Sequence, residues 1–145
     1  MKLVIQKCLS ASCKVDNEII SSVNSGYMIL VGVTHTDTTT KAKYLAEKVA
    51  KLRIFPDSEG KLNQNIIDNN GEILSISQFT LYGTLKKGNR PSFVEASPRE
   101  HATLIYEAFN EHLNSLGVKT YSGAFGCHME ISLVNDGPTT IILEE

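Results

Sequence analysis

The chain has 145 residues, 41% of them apolar and 21% charged, which predicts one globular domain able to bury roughly 68% of its unfolded surface. Fourteen Lys and Arg against sixteen Asp and Glu give a net charge of −2. That balance excludes a polycationic coat tracking nucleic-acid phosphates, so any such contact is expected to be local.

The first residues, 2–9, read as a strand, and 13–16 as a second, with Asp16-Asn17 supplying a turn before Glu18-Ile19-Ile20. Tyr27-Met28-Ile29-Leu30-Val31-Gly32-Val33 is too short for a good helix and rich in β-branched residues, as a central strand buried on both faces would be. Asp37 is placed to cap a helix whose apolar face is Ala42, Leu45, Val49 and Leu52. Arg53-Ile54-Phe55 leads into a turn-rich loop over 56–71, which holds at most a short strand. Glu72 to Ser77 reads as a strand that ends in the polar cluster Ser77-Gln78-Phe79-Thr80, followed by a basic loop over 84–93 with Lys86, Lys87 and Arg90. Ser97-Pro98-Arg99-Glu100 has the form of a capping box opening a long helix. Leu104, Ile105, Ala108, Phe109, Leu113 and Leu116 form its expected buried face, and Gly117 its stop. Strands at 129–134 and 139–143, joined by Asn135-Asp136-Gly137-Pro138, read as a hairpin. Two main helices among about seven strands predict a single-domain α+β fold over 1–145 with a mostly antiparallel or mixed sheet.

Absences narrow the chemistry. There is no G-x-S-x-G, no G-x-x-x-x-G-K-[ST], no G-x-G-x-x-G and no C-x-x-C, which argues against nucleotide hydrolysis and dinucleotide redox and predicts no cofactor. Cys8, Cys13 and Cys127 are odd in number and are expected to be reduced thiols without a metal. His101 and His112 would lie about 16 Å apart on one helix, too far to share a proton or a metal. No run reaches the ~20 apolar residues of a membrane span, and the first residues lack a secretory signal, so a cytoplasmic protein is expected.

Three features could carry function, each with an ordinary structural reading beside it. Ser77, Gln78, Phe79 and Thr80 could hold a carbonyl as it becomes an oxyanion, or simply form a polar strand edge. Asn135-Asp136-Gly137-Pro138 could bring backbone close to a ligand, or be a plain turn. Lys86, Lys87 and Arg90 could grip phosphates, or be a solvated loop.

Ser77-Gln78-Phe79-Thr80-Leu81-Tyr82-Gly83 and Asn135-Asp136-Gly137-Pro138-Thr139 together resemble the two signature motifs of the D-aminoacyl-tRNA deacylases, the D-tyrosyl-tRNA deacylase family. Ala11-Ser12, Leu52-Arg53-Ile54-Phe55, Lys87-Gly88-Asn89-Arg90-Pro91-Ser92-Phe93 and Gly123-Ala124-Phe125-Gly126 extend the resemblance over essentially the whole chain. It implies a homodimer, barrel-like once paired, that hydrolyses the ester joining a D-amino acid, or glycine mischarged on tRNA-Ala, to the tRNA 3′ end. It further implies that Gly137-Pro138 is cis and enters the partner subunit's site, rejecting L side chains by exclusion. Ser77, Gln78, Phe79 and Thr80 would line the catalytic pocket, with backbone N–H groups near Phe79 and Thr80 polarising the ester. Phe125 and Met129 would wall the adenine, and Lys86, Lys87 and Arg90 would meet tRNA phosphates. Thr80 is a candidate nucleophile, but it has no evident base beside it in sequence. The favoured reading therefore has the terminal ribose 2′-OH activating water. Lys7 stands where the family commonly has Arg, and Lys lacks the bidentate fork. Cys127-His128 also departs from the small or acidic residues expected there. The alternative is a non-catalytic or editing-like module that binds the tRNA 3′ end; neither DNA nor membrane is an expected partner.

Overall fold

A computed structural model describes residues 1–86 and 88–145. Lys87, assigned to the basic loop, lies outside the described residues. The chain begins with one 14-residue strand, β1 (Lys2–Val15), where two short ones were expected. Irregular register opposite Cys8 and between Cys13 and Lys14 bends this strand without breaking it. Asp16 and Asn17, both at positive φ (48° and 67°), turn it into β2 (Glu18–Val23). β2 and then β3 (Gly26–Gly32) run antiparallel along β1.

Thr38 caps α1 (Thr39–Ala50), its hydroxyl accepting from the Lys41 N–H at 3.2 Å. The expected cap, Asp37, is committed elsewhere: buried, it accepts from the Thr34 N–H at 2.8 Å and from the Met1 amino group at 2.6 Å. The loop after α1 carries a small ribbon, β4 (Phe55–Pro56) with β5 (Leu62–Gln64). β6 (Glu72–Ser77) pairs parallel to β3, and β7 (Thr120–Ser122) parallel to β6, with α2 (Arg99–Ser115) between them in sequence. Gly117, at φ +86°, follows α2 as anticipated.

The tail is the largest departure from expectation. The predicted hairpin is a single 15-residue strand, β8 (Glu130–Glu144), antiparallel to β1 on both sides of Asn135-Asp136-Gly137-Pro138. Gln6 pairs with Thr140 and Cys8 with Asn135, so the residues between Asn135 and Thr140 swell out opposite Lys7 alone. A turn sequence here makes a wide bulge because β1 is long enough to template strand on both flanks.

The result is a single α+β domain with a six-stranded mixed sheet. β2 also touches β6 and β7, so the sheet curls until it is nearly closed. Strand alternation divides the interior. Leu3, Ile5, Tyr27, Ile29, Val31 and Ile73 meet α1 and α2 in the main core, while Cys8, Cys13, Met28, Leu74 and Ile76 meet on the opposite face. On α2 the buried residues are Ile105, Tyr106, Phe109 and Leu113; Leu104, expected inside, is exposed, and Tyr106 takes its place. Among the described residues no helix is long and apolar enough to cross a membrane.

Cys8 and Cys13 are buried and Cys127 is exposed, all three as free thiols. Burial pushes the Cys8 thiol from 9.0 up to about 11 and raises that of Cys13; the buried Tyr27 phenol moves the same way. The folded state therefore holds these protons more tightly than the unfolded one. Their stabilisation is complete below the ordinary thiol value of 9.0 and is lost as pH rises toward about 11. Urea midpoints are expected to fall across that interval. Iodoacetamide at neutral pH is expected to add one label to the native chain, at Cys127, readable by intact mass.

Candidate active site

Parallel pairing of β3 with β6 brings the C-terminal ends of both strands to one edge of the sheet, Val31 beside Ser77. The Gln78 N–H donates to the Val31 carbonyl at 2.8 Å, and the chain then winds into a 3-10 turn, Phe79–Tyr82. As at any helix start, the first N–H groups of this turn have no intrahelical acceptor. Those of Phe79 and Thr80 donate to no backbone carbonyl among the described residues. Nearby, the Ser97 N–H donates to the Val33 carbonyl at 3.0 Å, which fixes the start of α2 against the end of β3.

Between these ends lies a cleft of about 400 Å³. Ser77, Gln78 and Phe79 form one wall, Val31, Val33 and Ile76 line its apolar part, and the start of α2 contributes Ser97, Arg99, Ala102 and Tyr106. Phe125 to Met129 and Ile131 close the other side. The Tyr106 hydroxyl donates to the Ser75 carbonyl at 2.7 Å, and its ring stands 5.7 Å from that of Phe125, fixing the aromatic wall. Met129 sits against Gly123, where a Cβ would come within 2.6 Å of its sulfur.

The expected capping box at Ser97 does not form. α2 starts with no side-chain cap, and the Ser97 hydroxyl is instead paired with His101 Nδ1 at 2.6 Å.

The structure thus brings Ser77, Gln78, Phe79, Phe125 and Met129 into one cleft. Thr80 is exposed outside the lining, its hydroxyl accepting from Gln78 Nε2. Among the described residues neither the Ser77 nor the Thr80 hydroxyl is hydrogen-bonded to a histidine or carboxylate. Phe79 is 58% exposed, with its ring edge-on to Phe93 at 5.0 Å. Lys86 and Arg90 are exposed in a loop closed by the Thr84–Ser92 bridge, and neither lines the cleft. Among the described residues no three His, Cys, Asp or Glu side chains converge as metal ligands would. Sequence reading missed Tyr106, Arg99 and Ser97 as cleft residues. Tyr106 had a signal, since it lies one helical turn before the buried Phe109.

Gly137 and Pro138 are exposed at the tip of the β8 bulge, joined by a cis peptide bond, and lie outside the cleft of their own chain. The base of the bulge is tied down firmly. Asn135 Nδ2 donates to Gln6 Oε1 at 2.8 Å, the Thr140 hydroxyl donates to the same oxygen, and the Thr139 N–H donates to Asn135 Oδ1 at 2.9 Å. Lys7 pairs with Asp136 at 2.8 Å and lies over the Phe55 ring at 5.3 Å. A clamp on the bulge therefore exists at position 7, made by this lysine. Lys7→Met is expected to lower urea stability by about 1–2 kcal/mol, because Asp136 loses its charged partner but keeps access to water. Lys7→Arg is expected to keep most of it.

A curled α+β domain thus sets two N–H groups without a backbone acceptor at the strand end beside a cleft with an aromatic wall, an arrangement chemically able to polarise a carbonyl. A family profile described as D-Tyr-tRNA(Tyr) deacylase matches residues 4–144. The chain is 49% identical over 144 residues to the D-aminoacyl-tRNA deacylase of Halalkalibacterium halodurans, covering 99% of each. It is 46% identical over 144 residues to that of Thermus aquaticus, covering 99% of this chain and 95% of the other. A solved structure of a c-Myc DNA unwinding element binding protein matches with a TM-score of 0.93 at 38% identity, covering 100% of this chain and 99% of that one. A probable eukaryotic D-amino acid tRNA deacylase matches with a TM-score of 0.83 at 16% identity, covering 98% and 97%, a likeness of fold alone. The chain belongs to the D-Tyr-tRNA(Tyr) deacylase family.

Proposed function

We propose that this chain hydrolyses the ester joining a D-amino acid to the 3′ end of tRNA. The observation that carries the reading is the cleft, in which Ser77, Gln78 and Phe79 face Phe125 and Met129. On this reading the ester carbonyl sits at the start of the 3-10 turn, where the Phe79 and Thr80 N–H groups polarise it. The terminal adenine packs against Phe125 and Met129. Thr80 positions and does not attack, and the substrate's own 2′-OH activates the water.

Discrimination against L substrates comes from a second copy of the chain. Gly137 and Pro138 are exposed and lie outside the lining of their own cleft, and the outer edge of β8 has no strand partner among the described residues, with Val134 and Ile142 exposed. Pairing of two copies would cover such an edge and deliver each bulge to the other's cleft. Glycine, with no side chain to exclude, would pass the same filter, so glycyl-tRNA-Ala is a second substrate. Phosphates further along the acceptor strand meet Lys86, Lys87 and Arg90. A net charge of −2 suits end-on recognition of this kind better than the tracking of a DNA duplex.

Matched D- and L-aminoacyl-tRNAs test the proposal. Release of the D-amino acid with the L ester spared is the expected result. Equal hydrolysis of both would remove chirality as the basis of selection, and binding of both without hydrolysis would favour a non-catalytic module for the tRNA end.

A further inference from the structure

Among the described residues lining the cleft there is no Asp or Glu, and Arg99 is the one permanently charged group. It opens α2, and its guanidinium lies against the backbone of Gly126, next to Phe125. A Cβ built on Gly126 would stand 3.1 Å from Arg99 Nη2 and 3.2 Å from Cζ. Gly126 is also at φ +76°, a conformation that side chains rarely adopt. The glycine therefore leaves the space that the guanidinium fills. Among the described residues Arg99 forms no ion pair, so its charge is available to a ligand.

We infer that Arg99 grips the 5′-phosphate of the terminal adenosine, a contact that fixes the nucleotide from the side opposite the ester. The inference rests on the deacylase reading above. With the ester at Ser77 to Phe79 and the base against Phe125, the remaining anionic substituent of that nucleotide is its 5′-phosphate. The cation sharing the cleft with both is Arg99. A guanidinium matches two phosphate oxygens with a pair of parallel N–H donors, which sets orientation as well as affinity. Lys86 and Arg90, outside the cleft, are left to phosphates further up the strand.

The test compares hydrolysis-resistant 3′-D-alanylamino-3′-deoxyadenosine with and without a 5′-phosphate, measured by calorimetry on wild type, Arg99→Ala and Arg99→Lys. The wild type is expected to bind the phosphorylated probe about tenfold or more tighter. Arg99→Ala should erase that preference while leaving the unphosphorylated probe unaffected, and Arg99→Lys should restore part of it. With intact D-aminoacyl-tRNA, Arg99→Ala should raise KM with little change in kcat and make the salt dependence shallower by about one phosphate contact. Equal weakening of both probes would assign Arg99 to the base or to the fold and overturn the inference, as would no change in either. Hydrolysis of D-aminoacyl-tRNA by the wild type is scored separately. Its absence would overturn the deacylase reading, whereas intact hydrolysis with an unchanged phosphate preference in Arg99→Ala would overturn only the role of Arg99.

Discussion

A D-aminoacyl-tRNA ending in 2′-deoxyadenosine is expected to be hydrolysed at least about 10²-fold more slowly than its ribose counterpart, while Thr80→Ala costs less than about tenfold. The asymmetry follows from where a base for the attacking water could come from. A positioned general base is worth about 10²–10⁴ in rate. The cleft lining offers no carboxylate, and the Thr80 hydroxyl stands outside that lining, accepting from the Gln78 amide. A hydroxyl whose neighbour donates to it is not activated as a nucleophile; activation needs an acceptor for its proton. His128 also lines the cleft, but it is bonded to neither the Ser77 nor the Thr80 hydroxyl. On the proposed reading, with the Phe79 and Thr80 N–H groups at the oxyanion, the substrate's own hydroxyl, on the carbon beside the ester, is the group nearest the carbonyl that can order water. Single-turnover rates on the two tRNAs and the two proteins separate the readings. Normal cleavage of the deoxy substrate, or loss of hydrolysis in Thr80→Ala with tRNA binding intact, would return the nucleophile to Thr80.

Local patterns were legible in the sequence where one force dominated. The β3 run, β6 and the apolar stripes of both helices were readable because burial fixes their periodicity. The strand-end cluster at Ser77 to Phe79 was readable because Ser77 and Gln78 break off the apolar run of β6 abruptly, which marks the point where the strand leaves the core. Features that depend on distant partners were not. Asp37 looks like a cap until the Met1 amino group and the Thr34 N–H take its carboxylate. Ser97 is a different case, since its partner is local: the spacing suits a capping box equally well, and only the geometry shows that His101, one helical turn on, takes its hydroxyl. Asn135 to Pro138 has the composition of a hairpin turn, and only the unbroken length of β1 beside it makes it a bulge. Arg99 gave no signal, since its place in the cleft depends on the chain returning at Gly126.

The bulge also carries the second large effect. Gly137→Ala is expected to lower D-aminoacyl-tRNA hydrolysis by about 10²-fold and to narrow the ratio of D to L cleavage, with a loss of about 1–3 kcal/mol in urea stability that leaves the chain folded. Gly137 sits at φ +126°, and a Cβ there would come within 2.5 Å of Thr139 Oγ1 and 2.9 Å of the Thr139 backbone nitrogen. The base of the bulge cannot yield, because Gln6, Lys7, Asn135 and Asp136 hold it by hydrogen bonds and an ion pair. Relief must come at the exposed tip, where a shift on the order of 1 Å suffices to cost about 10²-fold in a positioned reaction. The same variant can show which cleft the tip serves. Ala102→Trp fills the cleft from α2 and leaves the bulge untouched. Neither variant alone retains a working site if the bulge acts across a dimer. Refolded together in equal amounts, half of the dimers would be mixed, each with one open cleft facing one intact bulge. Recovery of about a quarter of wild-type activity is then expected. A bulge that served its own chain would give no recovery in the mixture, because every open cleft would still be paired with alanine at position 137.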